Sequence, residues 1–130
     1  MKHTEAERQE WKGRLVTLAA KIRALTPAER ETLAGAGTLT AEGHALSLFN
    51  CCYLAAQAGR LVAQVGGFRQ WERVGRTVRA GEHAVGYIWV PLAPRKVVGE
   101  DAAGDERVRF RLVPVFAVEQ TEAAAVAAVA

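Results

Sequence analysis

Metal and nucleophile chemistry has little to draw on in this chain. Its 130 residues include two cysteines and three histidines. His3, His44 and His83 are scattered, and neither an HExxH nor a paired CxxC occurs, so no metal site and no cofactor is expected. Cys51 and Cys52 are adjacent; on a helix such neighbours point about 100° apart and cannot bridge without distortion. They read as small buried side chains. With no Ser/His/Asp or Cys/His constellation, enzymatic activity is not expected. Long apolar runs are missing too, and the start MKHTEAERQEWK is polar, so neither a membrane span nor a signal peptide is predicted. The cytoplasm is the default compartment.

Acid is scarce in the middle of the chain. Residues 60–96 hold seven Lys/Arg against two Asp/Glu, a local charge of +5 where the whole chain carries +3. Six of those seven cations are arginine, which suits bidentate phosphate contact and stacking on bases. They concentrate in Gly66–Pro91, where Arg69, Arg73, Arg76 and Arg79 recur every three or four residues. Phe68, Trp71, Val74 and Val78 recur at the same spacing on another face. An apolar face that docks while arginines face water presents a cationic surface. A solvated helix face has the same pattern.

At this length one domain with its own core is expected. Residues 4–24 are predicted to form a helix with Trp11, Leu15, Leu18, Ile22 and Leu25 on one face. Thr26-Pro27-Ala28-Glu29 is a capping box that starts a second, short helix. A third helix is predicted from a Thr40 cap to about Ala58, apolar almost all round. Its exceptions, Ser47, Asn50 and Gln57, fall within about 80° of one another, with Leu54 in that sector and Tyr53 beside it. Such a stripe must meet water, a partner or internal hydrogen bonds. Leu61–Val65 reads as a short strand and Phe68–Val74 as two helical turns, with Trp71 in phase for core packing. Gly75 and Gly81 fall where turns need positive φ.

The strand from Ala84 to Leu92 is apolar on both faces and so is predicted to be central in its sheet, with Tyr87 and Trp89 either core aromatics, the commoner case, or a stacking platform. Residues 94–106 read as a hairpin loop. In Arg107–Leu112 strict alternation puts Arg107, Arg109 and Arg111 on one face, able to extend the basic surface. Val113–Val118 continues as a buried strand, Pro114 marking a bulge or an edge. Residues 123–130, alanine and valine only, read as a tail.

Three blocks carry a resemblance. Ser47-Leu48-Phe49-Asn50 with Leu54 and Gln57 resembles the S-x-x-N…Q helix of the N-terminal domain of ArdC-type antirestriction proteins. Gly67-Phe68-Arg69-Gln70-Trp71 followed by Gly75-Arg76-Thr77-Val78-Arg79-Ala80-Gly81-Glu82 is similar to that family's W-x-x-x-G-R-x-V-x-x-G-E segment. Val115–Glu122 resembles its closing V-F-x-V-x-Q-T strand. The chain departs from the pattern at Phe49, His83 and Ala117, and lacks the HExxH of the peptidase-like domain to which the family's module is often fused.

The resemblance implies an α+β module that binds single-stranded DNA. The architecture predicted is α+β, N-terminal helices on a small, mainly antiparallel sheet: a helical pair over residues 1–37, the ArdC-like module over 38–122 and the tail over 123–130. The predicted nucleic-acid contacts are Asn50, Tyr53, Gln57, Arg60, Arg69, Gln70, Arg73, Arg76, Arg79 and Trp89. The expected partner is single-stranded DNA, bound with little sequence preference in protection or processing of mobile-element DNA. A C-terminal domain or a partner protein outside this chain is a further expected contact, and a membrane is not. The alternative is a module that docks an acidic protein through its arginine face.

Overall fold

The computed structural model describes residues 4–92 and 109–124. The predicted loop over 94–106, the start of the strand that follows it and the tail beyond Ala124 lie outside the described residues.

Each helix starts where its capping chemistry places it. Thr4 accepts a hydrogen bond from the Glu7 N–H and opens α1 (Glu5–Ala24). The Thr26–Glu29 capping box, bonded in both directions, opens α2 (Pro27–Ala34). Thr40 does not cap the third helix. It lies in a two-residue strand, β1 (Leu39–Thr40), and its hydroxyl accepts from the His44 N–H to close the turn at Gly43. Ser47 is the cap instead, and α3 runs Leu48–Ala58. A threonine hydroxyl can cap a turn as readily as a helix, so the residue type alone did not decide between them.

The chain then forms β2 (Gln64–Gly66), α4 (Phe68–Arg73), β3 (Arg76–Val78), β4 (Gly86–Pro91), β5 (Phe110–Ala117), a 3-10 turn (Val118–Gln120) and β6 (Thr121–Ala123). Gly75 and Gly81 adopt φ of 81° and 84°, the left-handed conformation that turns the chain on either side of β3. One sheet has the order β1-β2-β5-β4, parallel between β1 and β2 and antiparallel elsewhere; β3 and β6 form a second, two-stranded antiparallel sheet. The fold is α+β.

Three buried clusters hold these layers together. Leu15, Ala19 and Ile22 of α1 meet Ala34 of α2 and Cys51, Cys52 and Tyr53 of α3. Leu54 of α3 meets Val62, Val65, Val115 and Ala117. Trp71 of α4 meets Ala41, Val78 and Phe116, its indole N–H donating to the Phe116 carbonyl at 3.0 Å. Both cysteines are free and buried, and burial pushes the Cys52 thiol pKa up, as an inert structural side chain requires.

Two expectations are corrected. β4 is not central; it is the edge of its sheet, apolar on both faces because α1 packs on one of them and α3, lying across the edge, sends Tyr53 to that face and Leu54 to the other. On α4, Trp71 is buried but Phe68 and Val74 are not: Phe68 is 54% exposed. α4 ends at Arg73, so Val74 falls at its C-cap, outside the helical conformation that the spacing assumed.

Candidate nucleic-acid interface

The polar stripe of α3 is aimed at the open edge of β4. Asn50 accepts from the Trp89 N–H and donates to the Trp89 carbonyl, each at 3.0 Å. Two helical turns on, Gln57 accepts from the Tyr87 N–H at 2.9 Å and donates to the Tyr87 carbonyl at 2.8 Å. The two amides stand in for a neighbouring strand, and α3 runs antiparallel to β4. Pro91, the next residue whose N–H would point to that edge, has none to leave unpaired. Tyr53 and Leu54 flank the amides on the helix and pack on opposite faces of the sheet. Gly86 permits this approach: a Cβ there would lie 2.6 Å from the Leu54 Cδ1 and 3.3 Å from the Gln57 Oε1.

Tyr53 and Trp89 belong to the same internal assembly. Tyr53 is fully buried, and its hydroxyl donates to the Leu15 carbonyl at 2.8 Å. Burial raises the pKa of that hydroxyl. The Trp89 ring sits 6.2 Å from the Tyr53 ring, and its buried indole N–H has no hydrogen-bond partner among the described residues. Of the ten sequence-predicted contacts, Asn50, Tyr53, Gln57 and Trp89 therefore form one interior cluster.

The arginines divide. Arg60 pairs with the Glu119 carboxylate at 2.6 Å. Arg76 is half-buried and bonds both the hydroxyl and the carbonyl of Thr121, at 2.6 and 3.1 Å. Arg79 donates to the Glu119 carbonyl at 2.5 Å and lies 3.5 Å from the Glu82 carboxylate. These three fasten the 3-10 turn and β6 to the body of the fold. Arg69 and Arg73, one turn apart on α4, are exposed. Gln70, between them, accepts from the Gly67 N–H and donates to Glu42 at 2.5 Å, which holds the Glu42 carboxyl below its ordinary pKa.

The residues that complete this surface were not on the predicted list. Phe68 is exposed and its ring rests on Phe116, with centroids 4.5 Å apart. Pro114, also exposed, shares a face of β5 with Phe116 by strand alternation and is paired in register with Tyr87. Trp11 of α1 meets Tyr87 edge-on at 4.8 Å and is 38% exposed. Trp11, Tyr87, Pro114 and Phe68 thus form an apolar line across one face, with Glu7, Arg8, Glu10 and Arg14 at its α1 end and Arg69 next to Phe68 on α4. Arg109 and Arg111 are exposed but alternate onto the opposite face of β5. The available signal was Trp11 itself, a large ring at the rim of a helix face.

No protein-family model matches the chain, and no curated protein matches it in sequence. Its fold is similar to part of the antirestriction protein ArdC from plasmid R388. Against the Mn(II)-bound crystal structure of that protein the TM-score is 0.50 at 19% identity, covering 74% of this chain and 38% of that one. Against the metal-free form the TM-score is 0.47 at 24% identity, covering 85% and 40%. The Mn(II)-bound likeness shows an ArdC-like fold, and the chain spans less than half of that protein.

Proposed function

We propose that this chain binds single-stranded DNA, with little dependence on sequence, in an antirestriction-related role. The observation that carries the reading is the exposed line of rings and proline from Trp11 to Phe68, with Arg14 among the charged residues at its α1 end and Arg69 beside Phe68 at the other. Bases present flat apolar faces whatever their identity, and phosphates run beside them. Stacking surfaces next to cations therefore meet both halves of a single strand. Duplex DNA offers the same phosphates but keeps its base faces stacked. The ArdC-like fold supports the reading, as does the similarity of the three sequence blocks to that family's module. A C-terminal domain or partner protein that uses the bound strand is part of the same proposal.

Titration with one labelled sequence as single strand, as duplex and as RNA tests the reading. Stacking contributes about 1–3 kcal/mol per base, so the single strand is expected to bind at least about tenfold more tightly than its duplex. Equal affinity for the two forms would reduce the surface to bare charge and end the stacking argument. Binding to no nucleic acid at all would turn attention to an acidic protein partner.

A further inference from the structure

A cleft of about 480 Å³ opens between α1 and β4, lined by Glu7, Arg8, Glu10, Trp11, Arg14 and Tyr87. Its apolar part is a corner. The Trp11 and Tyr87 rings meet at 73°, so a flat ring that stacks on one presents its edge to the other. Its polar lining includes Glu10 and Arg14, one helical turn apart on α1. Glu7 and Arg8 already interact with neighbours. Glu10 and Arg14 are exposed, and no hydrogen bond or ion pair holds either side chain among the described residues.

A carboxylate beside a stacking corner does not treat the four bases alike. Guanine turns two adjacent donors, its N1–H and its amino group, toward a single acceptor pair. Adenine and cytosine set one amino donor next to a ring acceptor, and thymine sets one imino donor between two carbonyls. Only guanine satisfies both carboxylate oxygens, and the others bring an acceptor against negative charge. Arg14, at i+4 from Glu10, counters the repulsion between that charge and the phosphates of the strand.

We infer that the Trp11–Tyr87 corner takes one base of the bound strand and that Glu10 selects guanine at that position. The inference rests on the single-strand reading above and adds a base preference at one position to it. The rest of the line remains indifferent to sequence, because stacking alone contacts the bases there.

The test uses the whole chain and four oligothymidylates, identical but for one central dG, dA, dC or dT, titrated by fluorescence anisotropy. The dG strand is expected to bind about tenfold more tightly than the other three, the low end of what one good bidentate base contact discriminates. Glu10→Gln, on an exposed helix face, retains the fold by circular dichroism. It removes the dG margin, because an amide offers one acceptor where the carboxylate offered two. Equal affinity for all four strands overturns the inference while leaving single-strand binding intact. So does a dG margin that survives Glu10→Gln. Failure of all four to bind removes the single-strand reading and this inference together.

Discussion

Two polar stripes, Asn50–Gln57 on α3 and Arg69–Arg73 on α4, invite the same reading in sequence and differ in what lies within their reach. The α3 stripe faces a strand edge whose N–H and C=O groups lack a partner strand. An amide carries one donor and one acceptor and matches such an edge group for group, so Asn50 and Gln57 close on Tyr87 and Trp89. The α4 stripe is exposed. A guanidinium has donors only, so Arg69 and Arg73 stay in water while their sequence neighbours Arg76 and Arg79 find carbonyls in the 118–121 segment. Donor–acceptor balance, more than polarity, decides which stripe turns inward.

The largest effect expected from this contrast is on the inner stripe. Asn50→Ala with Gln57→Ala leaves four half-buried backbone groups of β4 without partners. At about 1–3 kcal/mol for each orphaned group that water cannot reach, the double change should cost on the order of 3–6 kcal/mol. The melting temperature should fall by roughly 10–20 °C, read by circular dichroism. A variant that melts within a degree or two of the parent would mean that water replaces the amides freely, and the two stripes would no longer differ in kind.

An intermediate effect is expected on the outer stripe, in binding and not in stability. Arg69→Ala with Arg73→Ala should keep the melting temperature, since exposed changes of this type usually stay within about 0.5 kcal/mol. The slope of log affinity against log salt for a single strand should drop by about 1.4, roughly 0.7 per lost phosphate contact. An unchanged slope in a folded variant would place the strand elsewhere on the molecule.

The smallest effect concerns Glu42, the acid tied to the outer stripe. The hydrogen bond from Gln70 lowers its pKa below the ordinary 4.5. A carboxyl depressed on folding adds stability above its unfolded value and loses it as pH falls through the folded one. The melting temperature should therefore decline between about pH 5 and 3 slightly more steeply in the parent than in Glu42→Gln. Parallel acid limbs in the two proteins would show that this tie leaves α4 no firmer than water would.

Local signals in the sequence were legible and distant ones were not. The Thr26–Glu29 capping box, the helix over residues 4–24, the glycines at 75 and 81 and the burial of Trp71 follow from chemistry within a few residues, and each has its predicted place. The edge position of β4 was hidden because its apolar faces come from helices elsewhere in the chain. The partners of Arg60, Arg76 and Arg79 in the 119–121 segment lie 40 to 59 residues away, beyond the reach of periodicity. The proline at 114 was readable as a ladder defect, and it sits where β5 continues past the end of β2.

A strand that pairs with an edge always exposes a new edge of its own, so a sheet extended by strands is never finished. The α3 amides end the series, because a helix uses up its backbone groups internally and offers only the two side chains at the contact. The geometry is transferable: positions seven apart on a helix, about 10.5 Å, serve strand positions two apart, about 6.7 Å, with the amides leaning toward each other. A designer who needs a sheet to stop growing could seat such a helix across its last strand, with glycine where Gly86 stands.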